Sequence, residues 1–387
     1  MNFELDADTM EFAAATRRFC EDRLIPKAAL WDSGVTIERS VYREMGDMGL
    51  LNLRLPAEYG GLGASFEKCG AIAYEVGRAD VGLSLMVVNA IMFGELTPLM
   101  HESIRDTWTP RIATGSPFAF TLTEAHAGSD AGAIRTTARR DGDDYVINGE
   151  KTTVTHCGLA DVAIVFARTG GPGPSGISAF IVPWDDARIE KRIYNSVGER
   201  VTKRGQVFYN DLRVPAINLV GSLGGGFREA MRFFDYNRAF LALACIGAAE
   251  KSLDEIVEHV RTRTAFGYPL AKFQDVTFQV SEHMTRLAAA KLLAYKVLWM
   301  RDNDLPHSKE AAMIKWHGIH EAYDALHTCI ILSGWPGYSS DLPHERRMRD
   351  VMGLELGDGA PGVMKMIVAR EIFGRMSLPH FNSPKND

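Results

Sequence analysis

Tyr145-Val146-Ile147-Asn148-Gly149 joins an aromatic and β-branched run to an Asn-Gly pair. That pair is the strongest short signal for a two-residue hairpin, so the stretch predicts a strand that turns back at Asn148-Gly149. Working outward, short apolar runs recur at Phe118 to Thr123, Val162 to Ala167, Ile177 to Val182 and Gln206 to Tyr209, with turn residues between them. Strands at such short intervals predict a compact antiparallel sandwich or barrel. On both flanks the apolar period becomes helical. Upstream it does so in Met10 to Leu24 and Phe66 to Val76, either side of a turn at Tyr59-Gly60-Gly61-Leu62-Gly63. Downstream, Phe227 to Thr264 reads as one long helix, and Val276, Val280, Met284 and Leu287 share a face of the next. Pro306 opens a third, from about Ser308 to Leu332, and a fourth runs from about Pro361 to Phe373. The fold expected is mainly α with a central β-domain. It has an N-terminal helical domain over 1–117, a middle β-domain over 118–224 and a C-terminal four-helix bundle over 225–387. Four helices with short connections pack as an antiparallel bundle.

Composition narrows the function. With 387 residues the chain can bury a large core without disulfide or metal staples. A net charge of -6 runs against nucleic-acid binding, whose footprint is basic. The longest apolar candidate, Leu85 to Phe93, is broken by Asn89 and falls short of the roughly 20 residues that span a membrane. The N-terminus is acidic, without the basic start and apolar stretch of a signal peptide. Five cysteines (Cys20, Cys69, Cys157, Cys245 and Cys329) stand in no CxxC spacing. They read as buried thiols of a cytoplasmic protein.

Several motifs have competing readings. Gly171-Pro172-Gly173-Pro174-Ser175-Gly176 matches GxGxxG literally. A dinucleotide fingerprint needs a strand before it and a helix after it, and here a strand follows, so a surface turn is the better reading. His317, His320, Glu321 and His327 share one helix, but they form no HExxH and no metal site is expected. Glu124-Ala125-His126-Ala127-Gly128-Ser129-Asp130 follows a strand and is rich in small residues. It is either a plain connection or a loop whose backbone N–H groups face a ligand. Asp358, in Leu356-Gly357-Asp358-Gly359-Ala360-Pro361, is either the N-cap of a Pro-started helix or a general base held at the helix start. Its flanking glycines leave room for a flat ligand.

Taken together, these stretches resemble the acyl-CoA dehydrogenase family of flavoproteins over nearly the whole chain. Thr121-Leu122-Thr123-Glu124-Ala125-His126-Ala127-Gly128-Ser129-Asp130 is similar to its TEPxAGSD signature, and Asn148-Gly149-Glu150-Lys151 with Val154-Thr155 to its NGxK segment. Tyr59-Gly60-Gly61-Leu62-Gly63 and Phe234-Asp235-Tyr236-Asn237-Arg238 resemble further family stretches. Arg263-Thr264-Ala265-Phe266-Gly267 with Gln274, and Asp358-Gly359 ahead of Ile367 to Glu371, complete the order. The resemblance implies a homotetramer with FAD lying between the β-domain and the bundle. Leu122, Thr123 and Thr155 would contact the flavin ring, and Ser129 the cofactor phosphates or the pantetheine chain. Arg263, Phe266 and Gln274 would reach the adenine-diphosphate end of a neighbouring subunit's FAD. Asp235, Arg238 and Gly359 would join Ser129 in binding an acyl-CoA substrate. Asp358 would take the α-proton while the β-hydrogen leaves as hydride to flavin N5, and an electron-transfer flavoprotein would accept the electrons.

Asp358 stands where most of the family has Glu, and Thr153, Ile331 and Ala360 replace its more common Trp, Gln and Thr. The shorter acid suggests a cyclic or branched acyl group that brings Cα closer, such as a cyclohexanecarboxyl thioester. Three other readings stay open. They are a nitroalkane oxidase-like flavin oxidase, a reductase running the same chemistry backwards, and a non-catalytic subunit that binds FAD or an acyl thioester.

Overall fold

The computed structural model describes residues 4–377. The chain begins with helices α1 (Ala7–Phe19), α2 (Ile25–Asp32), α3 (Arg39–Asp47), α4 (Phe66–Ala79), α5 (Val81–Leu96) and α6 (Glu102–Ala113). Eight strands follow: β1 (Phe118–Thr121), β2 (Thr137–Asp141), β3 (Asp144–Val154), β4 (Val162–Arg168), β5 (Ile177–Pro183), β6 (Ile189–Ile193), β7 (Gly205–Pro215) and β8 (Leu219–Val220). Then come α7 (Gly226–Thr262), a small hairpin of β9 (Thr264–Ala265) and β10 (Tyr268–Pro269), and α8 (Gln274–Asp302), α9 (Ser308–Leu332), α10 (His344–Leu356) and α11 (Pro361–Phe373).

These elements form two compact units. The sheet unit comprises Pro26–Ala64 and Gly82–Phe233. Its strands run in the order β6-β7-β3-β2-β4-β5-β8, and β1 pairs with β4. Most neighbours are antiparallel, but β1 lies parallel to β4 along its length and β2 touches β4 in parallel at Thr137–Arg168. Strand β4, an unbroken apolar run from Val162 to Ala167, is buried on both faces, as a strand in mid-sheet requires. Strand β7 alternates buried and open positions, with Val207, Tyr209, Leu212 and Val214 turned into a core that includes Phe180 and Trp184.

The Asn148-Gly149 pair is not a hairpin. It lies inside β3, which pairs with β2 on one side and β7 on the other, and the register with β7 slips between Ile147 and Gly149. The pair forms a β-bulge. Gly149 has φ 142, and a Cβ there would meet Thr136 at under 3 Å, so only glycine fits. The Asn148 side chain is held from both ends by Asp211, which accepts from its Nδ2 at 2.8 Å and donates its backbone N–H to Oδ1 at 2.9 Å. The actual turn joins β2 to β3 at Gly142-Asp143, with Gly142 at φ 61.

The apolar stretch of the sheet unit is longer than the sequence reading allows. Val81–Leu99 is one helical run of 19 residues, long and apolar enough to cross a membrane, but nearly all of it is buried as core.

Among the described residues, the helical unit holds those up to Ile25, Ser65–Val81 and those from Phe234 onward. Helices α9 and α11 begin and end where the sequence places them. A further helix, α10, also forms here, its apolar spacing masked by His344-Glu345-Arg346-Arg347 and Arg349-Asp350. On α8 the buried stripe is Val280, His283, Leu287 and Ala290. Met284, expected on that face, is 40% exposed, because His283 turns inward and donates or accepts at Thr328 Oγ1 over 2.8 Å.

Candidate active site

In the helical unit the link from α10 to α11 is a short loop whose shape follows from its residues. Pro361 is the first residue of α11, where its missing N–H costs nothing. The residue before a proline is pushed to extended backbone, and Ala360 sits at φ -57, ψ 153 as the N-cap. To reach that geometry from the end of α10, Asp358 and Gly359 both take positive φ, 52 and 111. Aspartate tolerates the left-handed region better than most side chains, yet the conformation still needs support from its surroundings.

That geometry discards the helix-cap reading. Ala360 occupies the cap position, and Asp358 Oδ2 instead accepts a hydrogen bond from Asn237 Nδ2 of α7. Asn237 is 2% exposed, and its Oδ1 is buried with no hydrogen-bond partner among the described residues. Next to it, Arg238 donates to Asp235 at 3.0 Å, and Asp235 also accepts from Ser308 at the start of α9 at 2.7 Å. Arg238 is 6% exposed. Burial pulls its guanidinium below the usual range, against the opposing pull of Asp235 and Asp358. The sequence-predicted residues Asp235, Arg238, Asp358 and Gly359 thus meet in one place. Two further residues join them. One is Asn237. The other is Lys315 of α9, wholly buried, whose Nζ donates to the carbonyls of Leu354 (2.8 Å) and Gly359 (3.2 Å). A lysine within Ala311-Ala312-Met313-Ile314-Lys315-Trp316 was a signal available from sequence, since an isolated charge in an apolar run needs a buried partner.

In the sheet unit, the loop after β1 carries Leu122 and Thr123. Lys151 of β3, also wholly buried, donates from Nζ to the Leu122 carbonyl at 2.9 Å and to Glu124 Oε1 at 2.8 Å. Glu124 in turn accepts the backbone N–H groups of Arg135 and Thr136 at 2.6 and 2.9 Å. Because a trans peptide is planar with C=O and N–H opposed, drawing the Leu122 carbonyl inward aims the Thr123 N–H the other way. Further along, β3 ends in strain, with Thr153 at φ 54 and His156 at φ 61 on either side of Val154-Thr155. Left-handed backbone at non-glycine residues clusters at functional sites. The Thr155 hydroxyl makes no hydrogen bond among the described residues. An outward N–H, a free hydroxyl and rigid backbone fit the rim of an isoalloxazine ring, which alternates acceptors with one N–H. Ser129 is exposed on the following turn, beyond the Glu124–Ala127 bridge.

Arg263, Phe266 and Gln274 do not join the Asp358 cluster. They follow the C-terminal end of α7, roughly 38 Å along the helix from Asn237 at 1.5 Å per residue. Phe266 and Gly267 turn the β9–β10 hairpin with φ 52 and 83, the two positive angles of a tight primed turn. Phe266 is 92% exposed.

Comparison with known proteins identifies the family. The acyl-CoA dehydrogenase N-terminal, middle and C-terminal domain profiles match residues 6–116, 119–212 and 224–373. The chain is 32% identical to the probable acyl-CoA dehydrogenase YngJ of Bacillus subtilis (strain 168), over 96% of this chain and 100% of that protein. It is 31% identical to acryloyl-CoA reductase (NADH) of Anaerotignum propionicum, covering 97% of each. The solved butyryl-CoA dehydrogenase of Megasphaera elsdenii superposes with a TM-score of 0.92 at 27% identity, over 96% of this chain and 100% of that one. The chain therefore belongs to the acyl-CoA dehydrogenase family, oxidoreductases whose cofactor is FAD and whose substrates are acyl-CoA thioesters.

Proposed function

We propose that this enzyme oxidises an acyl-CoA whose acyl group is cyclic or branched, with Asp358 as the base that takes the α-proton. The observation that carries the reading is the Asp358 carboxylate, which leaves its helix cap to Ala360 and is held instead by Asn237. FAD supplies the hydride acceptor. Leu122, Thr123 and Thr155 would hold its ring, and Ser129 its phosphates or the pantetheine chain. Asn237 steadies the ionised carboxylate, and a hydrogen bond to the charged form keeps a base deprotonated until it is used. The backbone N–H of Asp358 is the donor for the thioester oxygen as negative charge grows there, a preorganised contact of the kind that contributes most to such steps. Gly359 has no side chain to bar a flat thioester. Arg238 is too enclosed to form an open channel wall, so it acts on the CoA chain through Asp235 and the neighbouring Ser308.

Aspartate reaches roughly 1.5 Å less than glutamate, one C–C bond, and misplacement by about 1 Å costs ~100-fold. A substrate whose α-carbon lies closer to the base removes that loss. Two measurements test the reading. Steady-state rates on cyclohexanecarboxyl and straight-chain thioesters should favour the cyclic one, and a clear straight-chain preference ends the substrate assignment. Asp358→Asn should slow anaerobic bleaching of the flavin by substrate on the order of 10³-fold. An unchanged rate removes Asp358 from the mechanism.

A reductive direction is the second reading, favoured by the likeness to a protein named acryloyl-CoA reductase. Reduction of an α,β-unsaturated thioester with NADH, faster than oxidation of the saturated one, would establish it. We further assign an electron-transfer flavoprotein as acceptor, a homotetramer with Arg263, Phe266 and Gln274 at a neighbouring subunit's FAD, and a cytoplasmic location. The exposed Phe266 and five buried free thiols support the last two. Light scattering of Phe266→Ala, expected to lose tetramer and FAD together, checks the assembly.

A further inference from the structure

Lys315 reaches into the α10–α11 loop from α9. Its Nζ donates to the carbonyls of Leu354 (2.8 Å), Glu355 (3.4 Å) and Gly359 (3.2 Å). An ammonium has three N–H donors, and backbone carbonyls on both sides of Asp358 take them all. Leu354 and Glu355 are among the last carbonyls of α10, which have no partner within the helix. Gly359 follows Asp358 directly. Among the described residues Lys315 makes no direct ion pair with a carboxylate, and the carboxylates that favour its charge, Asp358 first and then Glu355, act on it without touching it. A buried charge of that kind is costly unless something nearby uses it.

We propose that Lys315 is a positioning residue for Asp358: its ammonium straps the loop on either side of that residue, fixes the left-handed turn that aims the carboxylate, and supplies the positive charge that keeps it ionised between turnovers. The inference rests on the reading of Asp358 as base. Burial pushes the Lys315 ammonium down to about 8, against the pull of Asp358, its strongest favourable neighbour. Cys245 and Arg238 of α7 and Glu355 of α10 also act on it. Glu355 itself bonds His320 of α9 at 3.1 Å. From the other helices against α9, Lys365 of α11 lies over the Trp316 ring and Lys296 of α8 pairs with Glu310.

The test is anaerobic flavin reduction by saturating acyl-CoA, followed across pH in the holoenzyme, for wild type, Lys315→Met, Lys315→Arg and Asp358→Asn. Lys315→Met should slow the step roughly 10-fold or more through the loosened loop and move the acid limb upward by about one pH unit as the carboxylate loses its positive neighbour. Lys315→Arg should keep the acid limb in place, because arginine stays charged. Wild type should show a second inflection near pH 8 as Lys315 deprotonates, and Lys315→Arg should abolish it. If Lys315→Met binds FAD fully but keeps both rate and acid limb, the proposal is overturned. If that variant does not fold, an inflection near pH 8 persisting in Lys315→Arg overturns it instead. Asp358→Asn separates the two layers. Its inactivity beside an unaltered Lys315→Met discards only the role of Lys315, while its full activity discards the base.

Discussion

Lys151 in the sheet unit and Lys315 in the helical unit are both buried to 0% exposure, and burial pulls both ammonium groups down to about 8. Both donate to backbone carbonyls. They differ in what balances the charge. Lys151 has Glu124 at 2.8 Å, and that carboxylate is itself satisfied by two backbone N–H groups. Among the described residues Lys315 donates to backbone carbonyls only, with Asp358 acting on it without a direct hydrogen bond. A closed pair locks a loop and presents no net charge beyond it, whereas an open cation makes its field felt at the nearest acid. The same residue type therefore serves as an anchor in one unit and as an electrostatic neighbour of Asp358 in the other.

Breaking the closed pair should have the largest effect on stability. Glu124→Gln leaves a buried ammonium uncompensated and should cost about 3–5 kcal/mol in denaturant unfolding. Lys315→Met, which strands only carbonyls, should cost nearer 1–3 kcal/mol. Equal costs would erase the distinction drawn between the two lysines.

Acid comes next. Burial holds His156 of the sheet unit down to about 4, from an ordinary 6.5. Between those values the unfolded chain binds a proton that the folded chain refuses. Stability is therefore lost as pH falls from 6.5 towards 4, by roughly 3 kcal/mol for this one group. Burial holds His344 of the helical unit at about 4 as well, against the upward pull of Glu255. Calorimetry of His156→Gln and His344→Gln should each show a flatter acid slope, and a slope unchanged by both would mean that neither imidazole is buried neutral.

A smaller effect sharpens the helical side. Asn237→Ala removes the donor from Asp358 and should raise the acid limb of flavin reduction by less than a pH unit, equivalent to about 1 kcal/mol. A fall in the limb would reverse the assigned direction of that hydrogen bond. Least of all, Met284→Gln should change unfolding free energy by under about 0.5 kcal/mol. A larger loss would restore Met284 to the core stripe that His283 now occupies.

Sequence legibility followed the strength of local chemistry. Helices α9 and α11 were readable to the residue because proline sets their starts and uniform apolar spacing runs through them. Strand β4 was readable because a mid-sheet strand is apolar throughout. Helix α10 was not, since charged residues cover its apolar spacing while Val351 and Leu354 still pack inward. Asn148-Gly149 misled because the same freedom to take positive φ serves a bulge as readily as a turn, and the choice depends on whether a second strand, here β7, lies alongside. Asp358 could be picked out by position, but not its holders. Asn237 and Lys315 lie 121 and 43 residues away along the chain, and no local pattern reports contacts at that separation.

The bulge at Asn148 has a chemical consequence for the lifetime of the protein. Asn-Gly is the dipeptide most prone to close into a succinimide and deamidate, because glycine leaves the attacking nitrogen unhindered. In the native sheet both ends of this carboxamide are clasped by Asp211, so ring closure must wait until the strand lets go. Aspartate and isoaspartate accumulating at this position would act as a molecular clock for the time each molecule has spent unfolded.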